Sequence, residues 1–211
     1  MVDLAIVDYG AGNVRSVQKA FEHLGYQAKV TSDSKTIKSA SALIFPGQGA
    51  SPPAMRALTQ KKLVSVIQDF ILAGKPFFGV CLGLQLLMNI SEEGPVDSLG
   101  VLPGTVKRLP ENMKVPHIVW NSINLTRSHP VFHGVPQNSY FYFVHSYYAV
   151  PEDQSVVLGS SNYGVEFCSV AAEKALIATQ FHPEKSGHTG LKLYDNFMRY
   201  VVLQKPLLET E

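Results

Sequence analysis

The chain contains only two cysteines, Cys81 and Cys168, and one tryptophan, Trp120, among 211 residues. Two cysteines are too few for the disulfide framework of a small secreted scaffold. Each thiol is therefore a structural core group or a reactive one, and local context has to separate the two. Charge of one sign is missing as well: 18 basic and 17 acidic side chains leave a formal net charge of +1. No Lys/Arg cluster offers the long-range attraction that a nucleic-acid backbone requires, so no nucleic-acid partner is expected. No apolar run is long enough to span a membrane. The chain opens directly on strand-like sequence without a signal-peptide pattern, so cytoplasmic residence is the expectation. Charged residues make up only 17% against 45% hydrophobic, which excludes a disordered composition and suits a packed core.

What is present reads as one α/β domain over residues 1–211. Leu4-Ala5-Ile6-Val7 is a continuous apolar run that stops at Asp8-Tyr9-Gly10-Ala11-Gly12-Asn13. Val14, Val17, Phe21 and Leu24 then recur at three or four residues, predicting a helix over 14–24 closed by Gly25. Strands are expected at 26–30, 42–45 and 76–80, and a second helix at 61–72. The third strand enters a helix that continues through Leu87 and Met88. Strands apolar on both faces and alternating with helices indicate a parallel sheet covered on each side. Beyond residue 100 the pattern changes to short strand candidates at 105–109, 118–120, 140–144, 155–158 and 175–179. Without helices between them they are expected to be antiparallel and to extend the same sheet. A last helix is expected over 191–203, with fraying after Lys205.

The chemistry concentrates in Gly79-Val80-Cys81-Leu82-Gly83. A strand that ends in small-x-Cys-x-Gly and enters a helix is the cysteine form of a nucleophile elbow. The glycines remove side chains where strand and helix approach, and the N-terminal amides of the following helix favour a thiolate. The competing reading is a core cysteine at a strand end. His182, in Gln180-Phe181-His182-Pro183-Glu184, follows a strand candidate and has a carboxylate two residues on that could orient its ring as base. A surface turn is the alternative there. The N–H of Leu82 and the Pro46-Gly47-Gln48-Gly49 turn could supply donors to an oxyanion. A nucleotide-binding G-x-G-x-x-G is not completed, because Arg15 stands where the third glycine of Gly10-Ala11-Gly12-Asn13-Val14-Arg15 belongs. Neither cofactor nor metal is expected. Cys168 reads as an inert thiol, and His145 as structural rather than as a second base.

Taken together, Cys81-Leu82-Gly83-Leu84-Gln85 and Gln180-Phe181-His182-Pro183-Glu184 resemble the triad, or class I, glutamine amidotransferases. Asp8 to Asn13, Pro116-His117-Ile118-Val119-Trp120-Asn121 and Phe143-Val144-His145-Ser146-Tyr147 are similar to the glutaminase subunits of imidazole glycerol phosphate synthases. The resemblance covers essentially the whole chain. It implies a three-layer α/β sandwich whose mostly parallel central sheet is extended by antiparallel strands. It also implies a Cys81-His182-Glu184 triad that hydrolyses L-glutamine through a glutamyl thioester. Gln85, Gly47, Gln48, Gly49, Leu82, Ser146 and Tyr147 would then surround the substrate. Ammonia would pass to a separate (β/α)8-barrel cyclase subunit of histidine biosynthesis, since the chain is too short for a fused cyclase. Asn13, Arg15, Trp120, Asn121 and Lys185 become candidates for the partner face or for coupling to it. Trp120 has core packing as its alternative use. Two positions depart from the family pattern: Gln48 replaces a small apolar residue, and Val119 replaces a glycine, which bears on the flexibility of that loop. Glutaminases feeding other synthases share the triad, and a non-catalytic scaffold of the same fold would be expected to have lost it.

Overall fold

The computed structural model describes residues 3–94 and 97–207. The first half alternates strand and helix: β1 Leu4–Val7, α1 Val14–His23, β2 Ala28–Thr31, α2 Ser34–Ser39, β3 Ala42–Gly47, α3 Ser51–Gln60, α4 Val64–Leu72, β4 Phe77–Cys81 and α5 Leu82–Gln85. The second half is mostly strand: β5 Ile90–Ser91, β6 Gly104–Arg108, β7 His117–Ser122, β8 Asn124–Leu125, β9 Tyr140–His145, β10 Tyr147–Pro151, β11 Val157–Asn162, β12 Glu166–Glu173 and β13 Leu176–Thr179, before α6 Gly187–Asn196.

The central sheet has the order β2-β1-β3-β4-β13-β12-β11-β8. β2, β1, β3, β4 and β13 are parallel neighbours, and β12, β11 and β8 extend them antiparallel. The two-residue period of a strand divides the core between the faces. Leu4, Ile6, Ile44, Phe78 and Val80 point into one layer with Val17 and Phe21 of α1 and Leu193 and Tyr194 of α6. Ala5, Val7, Leu43, Phe45 and Phe77 point into the other, with Ile37, Leu58, Ile67 and Phe70 from α2, α3 and α4. The result is the expected three-layer α/β sandwich.

Several expectations need correction. The helix expected over 61–72 is α4, but a further helix, α3, precedes it. Pro52 and Pro53 stand in the first turn of α3, where the missing N–H costs nothing. Lys62, at φ 56°, turns the chain into α4. β13 runs parallel to β4 rather than antiparallel. β7 and β9 pair only with each other, and β10, β6 and β5 form a third small sheet, so these strands do not extend the central one. Val119 lies within β7, opposite Phe143, and not in a loop. The last helix begins earlier, at Gly187, and gives way to a π-helical stretch over Phe197–Val202. Of the segment expected to fray, Pro206 and Leu207 have no regular structure, and 208–211 lie outside the described residues.

Candidate active site

β4 passes directly into α5, and the joining residue is Cys81, at φ 56° and ψ −108°. A side-chain-bearing residue held there stores roughly 1–3 kcal/mol of strain. Close approach makes room for the bend. A Cβ on Gly83 would collide with the Phe45 carbonyl oxygen, and one on Gly47 would lie 2.7 Å from Leu82 Cβ. β3 and β4 are in register with Gly47 opposite Cys81, so the Gly47-Gln48-Gly49 turn begins beside the thiol. Gly49 follows at φ 102°, and the Gln48 carboxamide lies over Gly12 in the loop after β1.

The helix after the nucleophile has only one turn, not the longer run expected through Leu87 and Met88. Its end is tightened by bonds from Leu87 N–H to Leu84 and from Met88 N–H to Gln85. The carbonyls of Leu86 and Leu87 are taken by the N–H groups of Leu99, Val101 and Leu102. One turn carries little macrodipole, so charge support for a thiolate has to come from side chains.

That support is His182. It follows β13, the strand next to β4, and is fully buried. Its Nδ1 donates to Glu184 Oε1 at 2.8 Å, and both side chains are shielded from solvent. Its Nε2 has no hydrogen-bond partner among the described residues and remains available to the thiol. Burial alone would push the His182 pKa down, but the charge of Cys81 and then that of Glu184 outweigh it, and the ring is held well above its ordinary value. Burial likewise opposes ionisation of Glu184, yet its bond to His182 and the imidazolium charge hold the carboxyl below its usual range. An imidazolium at this position can serve the Glu184 carboxylate through Nδ1 and a sulfur nucleophile through Nε2.

Glu184 has two further partners. Asn13 Nδ2 donates to the same Oε1 at 3.1 Å, and Tyr194 OH donates to Oε2 at 3.2 Å. Asn13, expected at a partner surface, is therefore buried under the triad, and neither contact was foreseen. Gln180 lies two residues before His182, a position to which the motif alone assigns no role. Its Nε2 donates to Cys81 Sγ at 3.6 Å, and its Oε1 accepts from Gln85 Nε2 at 3.1 Å. The Cys81 thiol also reaches the Val144 carbonyl at 3.9 Å.

A cleft of about 300 Å³ opens over the sulfur, lined by Gln48, Gly49, Cys81, Leu82, Gln85, Ser146 and Tyr147, with His145 and Val144 behind. That volume suits a small, polar metabolite. A larger depression of about 490 Å³ lies between Arg127, His129 and His133. It has no cysteine in its lining, and its Arg127 guanidinium is already bonded to the carbonyls of Val157 and Ala172. Cys168 is buried, and burial pushes its thiol up to about 12, so it is inert.

The remaining candidates lie away from the cleft floor. Arg15 and Lys185 are exposed. Trp120 is 52% exposed and so is not a core residue. Asn121 is half-buried, and its Nδ2 donates to the Asn162 carbonyl within the chain.

Residues 5–200 match the family model for class-I glutamine amidotransferases. The chain belongs to that family. It is 47% identical over 203 residues to "Imidazole glycerol phosphate synthase subunit HisH" of Dehalococcoides mccartyi strain CBDB1, covering 96% of this chain and 99% of that one. It is 49% identical over 198 residues to the protein of the same name from Moorella thermoacetica, covering 93% and 94%. Among solved structures, PurLQS from Thermotoga maritima aligns at TM-score 0.74 and 18% identity, over 95% of this chain and 99% of that one. The glutaminase domain of Trypanosoma brucei CTPS with bound acivicin aligns at TM-score 0.70 and 17% identity, over 100% and 97%. At such identities the structural likeness concerns the fold of this amidotransferase alone.

Proposed function

We propose that the protein is the glutaminase subunit of an imidazole glycerol phosphate synthase, hydrolysing L-glutamine to glutamate and ammonia for a (β/α)8-barrel cyclase partner. The Cys81 thiolate attacks the side-chain amide carbon, and charge moves to the oxygen, where the N–H groups of Leu82 and Gly49 are the candidate donors. The tetrahedral adduct collapses with cleavage of the carbon–nitrogen bond as His182 gives its Nε2 proton to the leaving nitrogen. Ammonia departs and a glutamyl thioester remains. His182, now neutral, takes a proton from water, the thioester is hydrolysed, and the thiolate–imidazolium pair is restored. Glu184 holds the ring through both steps and carries no proton itself.

The observation that carries this reading is the buried run from Glu184 through His182 to a strained Cys81 in a chain nearly half identical to proteins named HisH. A non-catalytic scaffold would have no reason to keep three ionisable groups assembled at the floor of a cleft. Ile118, Trp120 and Tyr140 form an exposed apolar row on one face of β7 and β9, with Val119 exposed on the other face, and such a row suits a subunit interface. Arg15 and Lys185 are its candidate charged rim. The test is Cys81→Ala in the reconstituted complex. Glutamine-dependent turnover is expected to vanish while ammonia-dependent turnover by the cyclase persists. Loss of both, or of neither, would overturn the division of labour.

A further inference from the structure

Two buried histidines stand behind the cleft and take no part in the triad. His145 ends β9 on the cleft wall, His117 begins β7, and the sheet register sets them directly opposite each other. Their rings meet edge to face, with His117 Nδ1 2.9 Å from His145 Nε2.

The surrounding groups determine where the protons are. The Tyr147 carbonyl can only accept, and it lies 2.9 Å from His145 Nδ1, so that nitrogen bears hydrogen. At the other end the Asn121 amide is oriented by two backbone groups. Ser122 N–H donates to its Oδ1 at 2.8 Å, and its Nδ2 donates to the Asn162 carbonyl at 2.9 Å. The same Nδ2 lies 3.5 Å from His117 Nε2, which therefore faces a donor and is bare. His117 then carries its proton on Nδ1 and donates it to His145 Nε2. The two assignments, made from opposite ends, agree. A further proton on either ring would set two donors against each other, so both rings are neutral. Burial acts in the same direction, pushing His117 to about 4 and His145 to about 3.

The run of donors thus goes from Asn121 through His117 and His145 to the Tyr147 carbonyl. That carbonyl also accepts from Gln85 Nε2 at 2.7 Å, which occupies its second lone pair. At its start is β7, which carries exposed Ile118, Val119 and Trp120.

The geometry points to His117 and His145 as positioning residues: a tautomer-locked pair that holds the Tyr147 wall of the glutamine pocket in place against strand β7. The kinetic consequence rests on the glutaminase reading above; the proton assignment does not.

The test uses the full chain in two parts. Long-range proton–nitrogen NMR at pH 7 is expected to show both rings as Nδ1–H tautomers, and an Nε2–H or doubly protonated ring in either position overturns the pair. The second part compares His117→Asn, whose amide can replace the Nδ1 donor but leaves a void, with His117→Phe, which fills the volume without a donor. Packing alone would favour Phe. The lock predicts the reverse order: His117→Phe raises the KM for glutamine about tenfold over His117→Asn, with kcat little changed. The Tyr147 carbonyl carbon shift is expected to move in His117→Phe and to stay near wild type in His117→Asn. Equal effects of the two variants, or a larger effect of Asn, overturn the positioning role. A wild-type chain that hydrolyses no glutamine, alone or with its cyclase, sinks the glutaminase reading instead, and the tautomers and carbonyl shift still decide the pair.

Discussion

Asn13 Nδ2 donates to the carboxylate oxygen of Glu184 that also receives the His182 proton, across 171 positions of sequence. A carboxylate so deeply buried remains ionised only while its lone pairs are occupied. Asn13 thus helps to keep Glu184 charged, and through Glu184 holds the His182 ring by Nδ1 so that Nε2 stays free for Cys81.

Replacing Asn13 with alanine is therefore expected to lower glutaminase kcat/KM about tenfold or more, the cost of one charge-assisted hydrogen bond. Ammonia-dependent turnover by the complex reports on whether the fold and partner docking survive, and it is expected to persist. Unchanged glutamine kinetics in Asn13→Ala would show that His182 and Tyr194 suffice to hold Glu184.

This contact marks the boundary of what the amino-acid order reveals. Leu4 to Val7, Ala42 to Phe45 and Phe77 to Val80 are legible as buried parallel strands because they are apolar on both faces. Cys81 is legible through its flanking glycines, and the His182–Glu184 pair through its short spacing. Asn13 reads as a partner-face candidate because burial of a polar side chain depends on what folds over it, and its partner lies at the far end of the chain. Gln180 was visible only as part of a motif, since the atom it touches lies 99 positions away. The aromatic alternation at 140–144 announces a strand but says nothing about its neighbour. Its pairing with β7 alone, outside the central sheet, could not be read.

Acid stability follows from the neutral histidines. Burial depresses His117 to about 4 and His145 to about 3 in the folded chain, and His129 moves the same way. An unfolded histidine titrates near 6.5, so below that pH the unfolded chain holds protons that the folded chain refuses. Their contribution to stability is complete above about 6.5 and is lost as the pH falls toward 4. His182, raised in the folded state, has the opposite sign, since its contribution is complete below about 6.5 and is lost only as the pH climbs. Thermal unfolding followed from pH 7 to 4.5 is expected to show a steadily falling Tm, with a shallower slope in His117→Asn. A Tm that stays flat across that interval would contradict neutral buried rings.

Trp120 separates stability from association. It is 52% exposed and touches Tyr142 only edge-on, at a ring separation of 6.1 Å. Truncation therefore removes little packing from the isolated chain, and the Tm of Trp120→Ala is expected to stay within about two degrees of wild type. At a subunit interface the same truncation removes a large aromatic anchor, for which losses of about 2 kcal/mol or more are typical. Affinity for the cyclase subunit, measured by titration calorimetry, is accordingly expected to fall about thirtyfold. Because the triad is untouched, glutamine turnover at saturating cyclase should recover toward wild type. A lowered Tm with unaltered cyclase affinity would return Trp120 to a structural role and leave the apolar row on β7 without its proposed occupant.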